Sequence, residues 1–140
     1  MAKADAKEIV AALQAHPAFA GCSSADLEDL AIHSNRTSIP ANWPLIHQET
    51  PADACYVVLG GDADVLVKGE KVASIGTGAV VGEAGLVSHK LRNATVTSTT
   101  ALDLLHINAD EFTRLTERRP ALKSALMART EPAADAADQS

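Results

Sequence analysis

Residues 80–98 read VVGEAGLVSHKLRNATVTS. One carboxylate, Glu83, stands between two glycines, Gly82 and Gly85, and one arginine, Arg92, stands just before an alternating stretch. These residue types suit a small anion. A guanidinium offers a planar fork of donors that can hold two phosphate oxygens at once. A short helix beginning near Glu83 would aim unpaired backbone amides at the same anion. The glycines let backbone come close. A carboxylate cannot itself face a phosphate, so Glu83 suits a neighbouring hydroxyl pair, such as that of a ribose, or orients the arginine. By strand alternation Asn93 and Thr95 share one face, and Arg92 shares the other with Ala94 and Val96. The same residues also fit a surface hairpin carrying a Glu83–Arg92 ion pair. The glycine spacing lacks the Lys-Ser/Thr ending of a nucleotide P-loop.

Other chemistries find less support. His47 with Glu49 gives only two candidate metal ligands, and His16, His33, His89 and His106 have no ligand-like spacing. Ser74, Ser88 and Ser98 lack a matching base pattern, and Cys55 sits in an apolar run where a buried small hydrophobe is expected. Neither a catalytic nor a metal site is assigned. Asp62 and Asp64 read as a soluble hairpin. Tyr56 fits an inward strand position, and Trp43 follows a turn where it can pack under N-terminal helices. The two form no stacking platform for single-stranded nucleic acid.

The elements that must position the central stretch change period along the chain. Residues 5–15 place Ile9, Val10 and Leu13 on one helical face, and His16-Pro17 ends that helix. Ser24 reads as the N-cap of a second helix with Leu27, Leu30 and Ala31 inward. From Ser34 the period becomes two, with strands expected at 34–39, 43–48, 55–60, 63–68, 71–75, 79–81, 93–99 and 101–107. Gly60-Gly61-Asp62 and Lys68-Gly69-Glu70 mark hairpins. Short, evenly spaced strands argue for a sandwich, jelly roll or barrel, and closure would remove exposed edges. Asn108 or Asp110 caps a helix with Phe112 and Leu115 inward, and Pro120 starts another with Leu122, Ala125 and Leu126 on one side.

The 140 residues suit one domain, and a formal net charge of -6 argues against a general nucleic-acid backbone binder. Arg114, Arg118, Arg119, Lys123 and Arg129 read as the solvated face of terminal helices. Charges interrupt every apolar run short of a bilayer crossing, so no membrane insertion is expected. Cys22 and Cys55 lack CxxC pairing, which favours a reducing cytoplasm.

The run GEAGLV followed by RNA resembles the phosphate-binding cassette of cyclic-nucleotide-binding domains, as in catabolite activator-type transcription factors, kinase regulatory subunits and gated channels. Ile39-Pro40-Ala41, Leu45-Ile46 and the run from Ala52 to Leu59 with Gly61 are similar to that family's first strands and central hairpin. The resemblance implies that Glu83 accepts from a ribose 2′-hydroxyl and that Arg92 pairs with the cyclic phosphate. It implies that the amides of Ala84 and Gly85, with the amide and side chain of Asn93, line the same phosphate. Gly82 would permit close approach beside the ribose, and Leu66 with residues 72–75 would shape the base end. Asn93 departs from the usual Ser, Thr or Ala. Asn42 replaces a usual turn glycine, and Glu49 stands where the family favours glycine. The last helix is short and no helix-turn-helix follows, so direct DNA binding is not expected.

The expected fold is therefore mainly β: a double-stranded β-helix, or jelly-roll barrel, over 34–107, with a helical cover at 5–32 and C-terminal helices at 108–131. Together these make one domain, 1–131, with a tail at 132–140. The expected function is non-catalytic binding of cyclic AMP or cyclic GMP, with no cofactor, signalling by repacking of the C-terminal helices. Expected partners are an effector protein or a missing effector domain, and a homodimer through the C-terminal helix. The alternatives are a ligand-free interaction domain of the same fold and a metal-dependent cupin-type enzyme.

Overall fold

The computed structural model describes residues 3–49, 53–82 and 94–127. Helix α1 (Lys3–Gln14), a 3-10 turn (Pro17–Phe19) and helix α2 (Ser24–Ile32) come first. Strands β1 (Asn35–Ile39), β2 (Pro44–Ile46), β3 (Ala54–Gly60), β4 (Ala63–Val67), β5 (Glu70–Ile75), β6 (Val80–Val81), β7 (Thr95–Ser98) and β8 (Leu102–Asn108) follow. Helices α3 (Ala109–Arg118) and α4 (Pro120–Met127) close the described chain.

Local chemistry sets most boundaries. α1 stops ahead of Pro17, and the His16 ring then accepts the Ala18 amide at 3.2 Å to cap the 3-10 turn. α2 starts on a reciprocal box: the Ser23 hydroxyl accepts the Asp26 amide at 3.1 Å, and the Asp26 carboxylate accepts the Ser23 amide at 2.9 Å. The cap is thus Ser23 and not Ser24, whose hydroxyl instead accepts Gln14 at 3.0 Å. The Asn108 side chain caps α3 by accepting the Glu111 amide at 2.8 Å. β4 and β5 meet through a two-residue turn in which Lys68 (φ 52) and Gly69 (φ 81) are both left-handed, the hairpin geometry that matches strand twist.

The strands form two antiparallel four-stranded sheets, ordered β1-β8-β3-β6 and β2-β7-β4-β5. The first sheet is the middle layer of three. From it, Cys55, Val57, Val80, Leu105 and Ile107 pack against Ile9, Leu13, Phe19, Leu27, Leu30, Phe112, Leu115, Leu122 and Leu126 of the helical side. Its opposite face sends Val58, Val81, Leu102 and Leu104 against Ile46, Val65, Ile75 and Val96 of the second sheet. A sheet buried on both faces needs near-continuous apolar strands, and ACYVVL and LDLLHI supply them.

This arrangement corrects the mainly β, closed jelly-roll barrel that the sequence suggests. The fold is mixed α/β. Among the described residues the four helices hold as many residues as the eight strands. The helices are half of the main core, not a cover. The sheets stay separate, so the edge problem is met without closure. Edge strands β6 and β2 are very short, β2 begins at Pro44, and edge strands β1 and β5 carry polar and charged exposed residues.

Candidate ligand-binding site

Five of the six sequence-assigned ligand residues, Glu83, Ala84, Gly85, Arg92 and Asn93, lie outside the described residues. The sixth, Gly82, is described, as is the frame on either side. β6 pairs with β3 through Val80↔Val57 and Val81↔Tyr56, and both valines are fully buried on opposite faces of the first sheet. Gly82 follows with φ 91, in the region where a Cβ is strained, so the chain turns out of the sheet directly before Glu83. It is next described at Ala94, which is 3% exposed in the inter-sheet core. β7 then runs between β2 and β4. The described residues before this stretch thus end on the outermost strand of the first sheet, and those after it begin an interior strand of the second.

The return point is tied on two sides. The Thr95 hydroxyl accepts the Gln48 amide at 2.9 Å, and the Gln48 side-chain carbonyl accepts the Lys68 amide at 2.8 Å. One glutamine thus joins the turn after β2, the β4–β5 hairpin and the start of β7. Beside it Glu49 has φ 68 and Asn42 has φ 60, so each adopts the left-handed conformation usually given to glycine. The positions expected at the base end behave differently. Leu66 is half-buried and pairs with Thr95, Ile75 lies in the inter-sheet core, and Val72 is 44% exposed at an irregularity of the β4–β5 register. Trp43 is 53% exposed and does not pack under the N-terminal helices.

Among the described residues the displaced titrations lie elsewhere, on the helical side and at β1. Burial pushes the Cys22 thiol up, and Asp26 adds to this, which disfavours a reactive thiolate. The Arg36 guanidinium forks onto Asp103 at 3.1 and 2.7 Å and reaches Glu8 at 3.3 Å. Those hydrogen bonds, Asp103 first, hold its proton more tightly still. Asp26 is held below the usual carboxylate range by the Ser23 amide first and by Arg119. Burial pushes Asp29 up, but hydrogen bonds and charge from Arg118 and Arg119 together outweigh it and leave the group lowered. The sequence alone places both arginines on a solvated face. The signal it missed is the spacing of Asp26 and Asp29, which puts two acids on one side of α2. No group of three or more His, Cys, Asp or Glu able to hold a metal occurs among the described residues. No described helix is long and apolar enough to cross a membrane.

Two packed antiparallel sheets, a left-handed glycine at the end of β6, and helices before and after the strands make up the described frame. The chain belongs to the cyclic nucleotide-binding domain family, which it matches over residues 36–119. It is 32% identical over 117 residues to an uncharacterized NTE family protein of Mycobacterium bovis, covering 83% of this chain and 20% of that protein. The chain thus spans about a fifth of the length of the curated relative it matches. Its fold is similar to the regulatory domain of Toxoplasma gondii PKA solved with cAMP, with a TM-score of 0.70 and 26% identity over 86% of this chain and 49% of that one. It is also similar to the regulatory subunit of a cAMP-independent protein kinase A from Trypanosoma brucei, with a TM-score of 0.84 and 17% identity over 97% of this chain and 50% of that one. The ligand class of this regulatory family is a cyclic nucleotide of the cAMP type.

Proposed function

We propose that this domain binds cyclic AMP or cyclic GMP in residues 82–93 and reports it through its C-terminal helices. Arg92 pairs with the cyclic phosphate, and Asn93 and the amides of Ala84 and Gly85 share that anion. Glu83 accepts from the ribose 2′-hydroxyl, and Gly82 lets the backbone come close. The observation that carries this reading is the left-handed Gly82 between a buried edge strand and Glu83, in a chain of this family. Binding draws the segment inward, and α3 and α4 repack, since a ligand shifts only states it distinguishes energetically. The unit that does this is residues 1–131, with 132–140 as a tail. It serves an effector protein or an effector domain beyond this sequence, in the cytoplasm. Support for an effector comes from the greater length of the relative. Leu122 and Leu126 of α4 are spent on the domain's own core, so a homodimer through this helix would use its other face.

Calorimetry with cyclic AMP and cyclic GMP on wild type and Arg92→Ala tests the assignment. Wild-type binding is expected near micromolar (about -8 kcal/mol). The Arg92→Ala variant is expected to lose about 2 kcal/mol or more. Unchanged affinity in the variant removes Arg92 from the site. Silence of the wild type toward both nucleotides favours the second reading, a protein-interaction domain that holds no ligand. The likeness to a subunit described as cAMP-independent and the departure at Asn93 speak for that alternative.

A further inference from the structure

We propose that Asp26 and Asp29 of α2 form an ionic clasp with Arg118 and Arg119, and that this clasp fixes the joint between α3 and α4. Arg118 sets its Nε and Nη2 on the two oxygens of Asp29 at 2.9 and 3.0 Å. Arg119 sets Nε on the same carboxylate at 2.8 Å and Nη1 on Asp26 at 3.2 Å. His33 reaches Asp29 as well, at 2.9 Å. The two acids are mostly shielded, with side chains 14% and 12% exposed, whereas the arginines are 31–46% exposed.

The placement matters more than the number of bonds. Arg118 is the last residue of α3, and Arg119 is extended (φ -128, ψ 96) before Pro120 opens α4. Proline lacks the amide that would continue α3 and restricts the residue before it, so the chain must break here. The break leaves the direction of α4 open. The apolar contacts of Leu122 and Leu126 favour docking but carry little directionality. A fork of charged hydrogen bonds does carry direction. The clasp also spans the sequence, since its partners lie 89 to 93 positions apart. The Arg114–Glu111 pair, at 3.3 Å within α3, joins nothing but its own helix. Asp29 takes both arginines at once, which offsets the repulsion between adjacent like charges. Any swing of α4 that carries Arg119 away must break two carboxylate contacts together.

The clasp therefore acts as a catch on the last two helices, tunable by ionic strength, because half-exposed pairs are screened by salt. It is argued from its own geometry and stands whichever ligand the domain takes.

Hydrogen exchange on the full chain, without nucleotide, tests it. In Asp29→Asn the amides of residues 121–127 are expected to exchange about fivefold to tenfold faster, while β3 and β8 keep wild-type rates. In the wild type, raising salt is expected to speed the same amides and leave β3 and β8 unchanged. That second arm needs no variant, so it decides the matter if Asp29→Asn fails to fold. Unchanged exchange at 121–127, or an equal rise through β3 and β8, overturns the clasp. Failure of nucleotide binding in the calorimetry above would leave this result untouched.

Discussion

The two sheets have the same number of strands but different surroundings. The first, β1-β8-β3-β6, is covered by helices on one face and by the second sheet on the other. The second, β2-β7-β4-β5, is covered on one face among the described residues; β4 and β7 alternate buried with partly open positions, and β5 is mostly exposed. The first sheet is therefore the rigid body that receives the N- and C-terminal helices. The second can adjust at its outer face and edges without opening the main core. The segment that carries the ligand reading connects the two, so its ends are tied to a rigid partner and to a more compliant one.

Adjacent residues of β8 give the sharpest way to break that contrast. Leu104 faces the inter-sheet core and Leu105 the helical core, and both are 0% exposed. Each change to alanine is expected to cost about 2–5 kcal/mol in chemical denaturation, because each leaves a cavity in a packed interior. The location of the damage should differ. Leu105→Ala should raise amide exchange in α1, α2 and α4, whereas Leu104→Ala should raise it in β4, β5 and β7. The same pattern for both variants would mean that the two cores act as one cooperative unit.

Much of this division was legible in the sequence. The strands appear close to their expected places because alternation and glycine turns report local geometry. The helical faces appear because Leu27, Leu30, Phe112, Leu115, Leu122 and Leu126 recur at helical spacing. Closure into a barrel was not legible. Alternation says that a strand has an inside, but it does not say how many layers share that inside. The runs ACYVVL and LDLLHI, apolar on both faces, were the signal for a middle layer. Of the six candidate site residues Gly82 alone is described, and its backbone is left-handed, with φ 91. The clasp was missed because an arginine on a helix surface looks solvated until its non-local partner is placed beside it. Trp43 shows the reverse: size suggests burial, but the residue directly precedes edge strand β2 and is 53% exposed.

Acid should separate the helical layer from the sheets. The carboxyls of Asp26 and Asp29 are lowered in the folded state, the first chiefly by the Ser23 amide, the second by Arg118 and Arg119 against an opposing effect of burial. A lowered folded pKa means that the unfolded chain takes up protons first. The stabilisation is thus complete above the unfolded value, about 3.9, and is lost as pH falls through the lower folded value. Thermal melts from pH 7 downward should stay level to about pH 5 and then decline. Asp29→Asn should show a shallower decline than wild type. Parallel declines would mean that other carboxylates carry the acid sensitivity.

The smallest effect is expected on the outer sheet, at Val72. This residue sits on edge strand β5 and is 44% exposed. The β4–β5 register shifts between the Val65↔Ala73 and Leu66↔Lys71 pairs, so Val72 is the unmatched residue of a bulge. Bulges redirect side chains and are common beside binding sites. The Val72→Thr change keeps the β-branch and nearly the same volume, and the added hydroxyl meets solvent. Stability should therefore change by no more than about 0.5 kcal/mol in denaturant melts. A loss well above that would place Val72 in a packed contact and remove the contrast between an open and a buried sheet. With stability unchanged, the same variant reports on the ligand: weaker cyclic-nucleotide binding would put the base against β5, and wild-type affinity would leave Val72 as a surface residue of the compliant sheet.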